Sequence, residues 1–309
     1  MVSAETKPET LSLYEFLKLF PDEAAATKFF ELRRWGDEPY CPHCGSMGNI
    51  SPVPTAKPMP YRCRNCRKHF SVRTGTVLAE SKIPLHKWLL AIFMLHTARK
   101  GVSSVQMAKE IGVTQKTAWF LNHRIREAMA SRGGLFAGEV EADETYIGGK
   151  EKNKHSSKKL RAGRGTVGKQ AVFGLRHRAG AVKAFPINGT DKVELQAAIL
   201  ENVKRGSTVY TDSHAGYVGM KGYTHLSVQH NVGEYVRGQA HTNGVESFWA
   251  LLKRGYVGIY HQMSEEHLHR YVNEFAFRQG TRSDDMVVCM ARTVDGMIGR
   301  RLSYKELTA

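Results

Sequence analysis

Four cysteines constrain this chain more than any other feature. Cys41 and Cys44 stand in "CPHCG" and Cys63 and Cys66 in "CRNCR", giving two C-x2-C pairs separated by eighteen residues. Residues 37–75 are rich in Pro, Arg and Cys and poor in aliphatic side chains, so burial alone cannot hold such a segment together. Two thiolate pairs at this spacing fit one tetrahedral structural Zn2+, whose binding supplies the missing folding energy. A redox motif would carry a single C-x2-C beside a strand and helix. His43 and His69 lie nearby, but four thiolates already close a site. Arg62, Arg64, Arg67 and Lys68 around the second pair either meet phosphates or form a solvated charged face. The remaining Cys289 stands apart, and the whole pattern suits a reducing, cytoplasmic compartment.

The 309 residues carry 45 Lys and Arg against 29 Asp and Glu, a formal charge of +16. That balance favours a polyanionic partner, nucleic acid before membrane. No apolar run is long enough to span a bilayer, and the N-terminus has no basic-then-apolar signal layout. Composition divides the chain into an N-terminal helical segment (1–36), the cysteine segment (37–75), a helical region (76–132) and a larger mixed domain (135–300). In the first, Pro21 separates two short helical patterns and Asp22 sits where the second would start.

Within the helical region, "SSVQMAKEIGVTQKTAWFLNHRIREAM" predicts a helix from about Val105, a left-handed turn at Gly112 and a second helix capped by Thr114. Ala118, Leu121 and Ile125 would face inward, leaving Gln115, Lys116 and His123 on the exposed face. An ordinary helical hairpin has the same pattern; beside a zinc ribbon in a strongly basic chain, a DNA-binding helix-turn-helix is favoured.

The mixed domain presents acids in a particular order. "EVEADETYIGG" alternates Val140 and Ala142 with Glu141, Asp143 and Thr145, the pattern of a strand with its polar residues on one side. Two strands follow around an Ala-Gly turn, then a helix with Leu195, Ala198, Ile199 and Val203 inward, then the apolar strand "STVY" ending at Asp212. Another strand and the helix "HTNGVESFWALLKRG" complete the run. Asn243, Glu246 and Lys253, three and then seven residues apart, project from one helix face. Asn243 followed by Glu246 also reads as a capping box. Strand acid, two strands, helix, strand-end acid, strand and helix acid is an RNase H-like α/β layout, in which the first and fourth strands are neighbours. Asp143 and Asp212 then converge, and oxygen ligands of this kind suit a pair of Mg2+ or Mn2+ ions. Trp249 and Leu252 should pack beneath the cluster. From Lys150 to Lys169 a stretch of eight Lys or Arg and one Glu reads as a loop. No Arg-His-Arg pattern accompanies Tyr146, Tyr217, Tyr256 or Tyr260, which sets a tyrosine recombinase aside.

With its cysteine pairs, its helical pair and the motifs "ADETYIGG", "VYTDSHAGY" and "HTNGVESFWALLKRG", nearly the whole chain resembles bacterial insertion-sequence transposases of the DDE type, in the group related to eukaryotic Merlin elements. The 33 residues between Asp212 and Glu246 are close to that family's spacing. The resemblance implies a zinc ribbon, a helix-turn-helix and an RNase H-like catalytic domain. It implies Asp143 and Asp212 as ligands of catalytic Mg2+, Glu246 or Asn243 as the third ligand, and Lys253 as a basic partner to DNA. It implies a DNA transposase that hydrolyses the phosphodiester at its element ends and joins them to target DNA, acting on double-stranded DNA as a homodimer or larger assembly and nucleoid-associated when bound. Two alternatives remain at this stage: a DNA-binding regulator whose RNase H-like domain is inactive, and a junction nuclease of the same fold.

Overall fold

The structure, a computed structural model, describes residues 8–149, 151–160, 165–228 and 241–309. Along the chain run α1 (Leu13–Leu19), α2 (Glu23–Trp35), β1 (Ile50–Pro52), β2 (Tyr61–Cys63), β3 (His69–Phe70), α3 (Leu85–Thr97), α4 (Ser104–Ile111) and α5 (Gln115–Ala128). Then follow β4 (Glu139–Ile147), β5 (Gln170–His177), β6 (Val182–Ile187), α6 (Lys192–Asn202), β7 (Thr208–Asp212), β8 (Thr224–Val228), α7 (Asn243–Gly255), α8 (Glu265–Gly280), α9 (Met286–Met297) and α10 (Tyr304–Thr308). These form two compact units, Met1–Met129 with Ser283–Ala309, and Ala130–Arg282. The sequence reading carried the mixed domain to residue 300. The last part of that range, α9 included, belongs instead to the first unit, because its apolar face packs on α2, α3 and α5.

In the first unit Pro21 does separate two helices. Ser12 and Glu15 form a capping box on α1, and Asp22 accepts the Ala25 N–H at 2.8 Å to start α2. Helix α3, "LHKWLLAIFMLHT", is apolar nearly all round, and so it lies in the centre with Trp88, Leu89 and Ile92 fully buried. Helices α4 and α5 meet at Gly112, whose φ of 62° and ψ of 59° place it in the left-handed region. Thr114 caps α5 through the Thr117 N–H. Ala118, Leu121 and Ile125 are buried as their spacing predicts.

The second unit is built on a five-stranded sheet in the order β6-β5-β4-β7-β8. The hairpin strands β5 and β6 run antiparallel beside β4, and β7 and β8 run parallel to it on its other side. This is the RNase H-like arrangement. Alternation along β4 assigns the two faces. Val140 and Ala142 join Leu195, Ile199 and Val209 under α6, while Ile147 and Val172 join Val245, Phe248 and Leu252 under α7 and α8. Both faces are therefore covered, and the polar side of β4 lies under a helix: Glu141 and Thr145 are buried. The basic stretch after β4 contains two short 3-10 turns, Glu151–Asn153 and Ser156–Lys158; Lys150 and residues 161–164 of it lie outside the described residues. No helix among the described residues is long and apolar enough to cross a membrane.

Candidate functional site

The register between β4 and β7 pairs Glu139 with Thr208, Val140 with Val209 and Glu141 with Tyr210. Continued two residues, it sets Asp143 beside Asp212. Neighbouring strands lie about 5 Å apart, and directly opposed residues of a parallel pair point to the same face. The two acids therefore share the side of the sheet that α7 covers, where the strands run out.

Electrostatics agree with that placement. Burial first, then the charges of Glu144 and Asp212, push the Asp143 carboxyl up to about 7. A hydrogen bond from Trp249 Nε1 to Asp143 Oδ2, at 2.9 Å, acts in the opposite sense. Trp249 thus packs beneath the acids as its helical position suggested. It reaches Asp143 because Gly174, the residue paired with Asp143 on β5, has no side chain; a Cβ there would overlap the indole.

Two members of the cluster escaped the sequence reading. Glu144 points to the α6 side of β4, yet its carboxyl is raised by burial and by the charge of Asp212, against a hydrogen bond from Tyr217. Tyr217 is fully buried and donates its hydroxyl to Glu144 Oε2. Burial and the charges of Glu144, Asp143 and Asp212 drive that hydroxyl's pKa upward. The available signal was a tyrosine five residues after a strand-end acid, in a turn where His214 N–H bonds Asp212 Oδ1 at 3.0 Å. Periodicity does not reveal it, because the turn is irregular.

Helix α7 brings the other predicted residues. Its N-cap position is Thr242, and Asn243 is its first helical residue, so the predicted Asn243–Glu246 capping box does not form. Thr242 donates its hydroxyl to Glu246 Oε1 at 2.7 Å instead. Asn243, Glu246 and Lys253 all lie on the exposed side of α7, as their spacing required. Glu246 stands one turn before Trp249, the residue whose indole reaches Asp143.

The four cysteine sulfurs lie within 4.8 Å of one another, with Cys41 and Cys66 3.6 Å apart and Cys44 and Cys63 3.7 Å apart. A tetrahedron of sulfurs about 2.3 Å from a zinc ion has edges of about 3.8 Å, so the set fits structural Zn2+. Each knuckle turns through a residue at positive φ directly after its second cysteine, Gly45 at 72° and Arg67 at 60°. Trp35, Tyr61 and Phe70 pack beneath the site and form what core the ribbon has.

Of the residues expected to face DNA from α5, Gln115 and Lys116 are exposed at its N-terminal end. The Gln115 side chain bonds Ser104 Oγ at 2.9 Å, and Lys116 Nζ lies 4.7 Å from the Tyr304 ring centre. His123 is not on an exposed face. It is fully buried against Trp119, on a helix that packs against α9 as well as α4.

Two family profiles match the chain: the ISXO2-like transposase domain over residues 136–280, and a transposase zinc-ribbon domain over residues 21–69. Together they span well over half of it. The chain belongs to the ISXO2-like transposases. An uncharacterized protein in transposable element ISH50 of Halobacterium salinarum is 29% identical over 275 residues, which is 85% of this transposase and 92% of that protein. Among solved structures, a simian T-cell lymphotropic virus intasome in complex with PP2A regulatory subunit B56 gamma aligns with 59% of this chain. That match has a TM-score of 0.28 and 14% identity, and it spans 64% of the matched chain. The first profile encloses all the acids of the cluster and the whole of α7, and the second encloses the four cysteines.

Proposed function

We propose that this transposase cuts and joins DNA at the cluster of Asp143 and Asp212, with α7 supplying the third ligand. The observation that carries the reading is the convergence of two acids from adjacent parallel strands, Asp143 feeling the charge of Asp212. Burial and neighbouring charge raise the proton affinity of Asp143 and of Glu144, and closely set carboxylate oxygens of this kind fit a hard divalent cation. Asp143, Asp212 and Glu246, or Asn243 in its place, would hold Mg2+ or Mn2+, which activates an attacking oxygen and stabilises the leaving one. A negative third ligand balances divalent charge better than a neutral amide, and this favours Glu246.

Water first attacks the phosphodiester at the element end and releases a 3′-OH. That hydroxyl then attacks a phosphodiester of the target, forming one P–O bond as another breaks, with no covalent enzyme intermediate. Trp249 orients the Asp143 carboxylate for this work through its N–H. Lys253, exposed beyond Glu246 on the same side, meets a backbone phosphate. Gln115 and Lys116 at the start of α5 read or grip the element end. Joining two ends requires at least a homodimer on DNA.

The test is a strand-transfer assay with labelled element ends, Mg2+ and target plasmid. Asp143→Asn and Asp212→Asn should each abolish cleavage and joining while leaving DNA affinity nearly unchanged, since affinity rests on Lys and Arg. Near-normal joining by either variant refutes the assignment. Cleavage without joining by the wild-type chain identifies a nuclease instead.

A further inference from the structure

Glu141 lies two residues before Asp143 on the same face of β4 and is fully buried. A buried carboxylate is costly unless it is paired and hydrogen-bonded. Its Oε2 accepts the backbone N–H of Val245 at 2.8 Å, across 104 residues of sequence. Its Oε1 lies 3.4 Å from Arg176 Nη1, 3.4 Å from Arg178 Nε and 3.6 Å from His241 Nδ1. Arg176 is the residue paired with Glu141 on β5, so this arrangement follows from the sheet register.

The hydrogen bond to Val245 has a second significance. The first N–H groups of a helix have no partner within it, and Thr242, at the N-cap of α7, gives no side-chain cap. Its hydroxyl is directed to Glu246 instead. Glu141 therefore does from β4 what an N-cap residue does locally: it serves the N–H of the third helical residue and places negative charge at the positive end of the helix. Gly244 keeps the approach open. A Cβ at that position would overlap the Arg176 guanidinium and lie 2.6 Å from Glu141 Oε2.

Val245 sits between Asn243 and Glu246 in the first turn of α7. Fixing its N–H to β4 fixes both candidate third ligands relative to Asp143, whichever of them binds. We infer that Glu141 is a positioning residue, a remote cap that locks the first turn of α7 onto the strand carrying Asp143 and thereby sets the geometry of the metal cluster. The inference rests on the proposed function for its catalytic consequence, though the tie itself does not.

The experiment uses the full chain with Glu141→Ala and Glu141→Gln, and Ile199→Val on the buried face of α6 as a control for general loss of stability. Without DNA or magnesium, hydrogen exchange read by mass spectrometry should show the first turn of α7 losing protection in Glu141→Ala, while β5 and β6 keep theirs. In the strand-cleavage assay at saturating DNA, Glu141→Ala should cut about 10- to 100-fold more slowly, as found when the supports of metal ligands are removed. It should also need several-fold more Mg2+ for half-maximal rate, with DNA affinity unchanged. Glu141→Gln keeps an acceptor for the Val245 N–H but not the charge, and should fall between; if Glu141→Ala fails to fold, Glu141→Gln decides. Normal first-turn protection together with a normal Mg2+ requirement overturns the inference, as does an Ile199→Val control that shifts the Mg2+ requirement equally. If the wild-type chain cuts under no metal condition, the proposed function fails and the exchange data alone judge the tie.

Discussion

Replacing Asp143 by Asn should make the magnesium-free transposase more stable at neutral and alkaline pH. An ordinary aspartate titrates near about 4; here burial and the neighbouring Glu144 and Asp212 push Asp143 up to about 7. Below about pH 4 the folded and unfolded chains both hold this proton, and the site costs nothing. As pH rises toward 7 the unfolded chain ionises while the folded one keeps its proton, so stability falls through this window and levels off above it. Each tenfold change in proton affinity is worth about 1.4 kcal/mol. The full penalty above pH 7 is therefore about 4 kcal/mol, reduced toward about 2 by water reaching a side chain that is only partly buried. Asparagine cannot ionise, and its amide oxygen can still accept the Trp249 N–H. Urea unfolding of both proteins in magnesium-free buffer should show Asp143→Asn ahead by about 1 kcal/mol at pH 5 and by about 2 to 4 kcal/mol at pH 8. Adding Mg2+ should close the gap by stabilising the wild type alone. A variant no more stable than wild type at pH 8 would refute this account of burial and neighbouring charge acting on Asp143.

Three further outcomes can be checked directly. Metal analysis should find about one zinc per chain, and Cys63→Ser should lose it together with the exchange protection of β1 to β3; a variant that retains the metal would contradict the four-thiolate site. Gly174→Ala should destabilise the second unit by about 1–3 kcal/mol, the usual range for overpacking, and should shift Trp249 fluorescence as the indole leaves Asp143; an unchanged melting temperature would count against the close packing there. On α7, Glu246→Gln should abolish cleavage with the fold intact, Asn243→Ala should cost under about 0.5 kcal/mol because its side chain is exposed and caps nothing, and Lys253→Ala should weaken DNA binding with a shallower salt dependence. A folded but inactive Asn243→Ala beside an active Glu246→Gln would make the amide the third ligand.

What the sequence reveals here depends on how local the governing interaction is. The turn between α4 and α5 was readable because Gly112 and Thr114 act on their own neighbours. The order of strands and acids was readable because alternation in β4 and the strand end at Asp212 are properties of short segments. His123 was misplaced because α5 is covered by α9 as well as by α4, and α9 lies more than 150 residues away in sequence. Gly296 lets that helix approach the α5 backbone, and a Cβ there would lie 3.0 Å from the carbonyl carbon of Ala128. The capping box at Asn243 had the right residue types, but the helix starts one residue earlier: the Glu246 N–H it would have served bonds the Thr242 carbonyl, and the Val245 N–H before it goes to Glu141, a partner 104 positions away.

The four acids from Glu139 to Glu144 show how one strand distributes roles that composition cannot separate. Glu139, exposed at the start of β4, takes the Tyr210 hydroxyl at 2.5 Å and ties β4 to β7 at the point where their pairing begins. Glu141 faces α7 and holds its first turn. Asp143 shares that face, but by the next pair of residues the strand has run past the start of α7 and come level with the end of β7, so its neighbours are Asp212 and the Trp249 indole rather than arginines. Glu144 turns to the opposite face, where Tyr217 fastens it to the turn that follows Asp212. A shift of one residue in the β4 register would exchange these faces and send Asp143 under α6. The hairpin to β5 makes such a slip costly: eight consecutive pairs, from Val140 with His177 to Ile147 with Gln170, would each have to move, and Gly174 would no longer lie opposite Asp143 to admit Trp249. The same register that fixes the sheet therefore decides which of four similar acids shares a face and a strand end with Asp212.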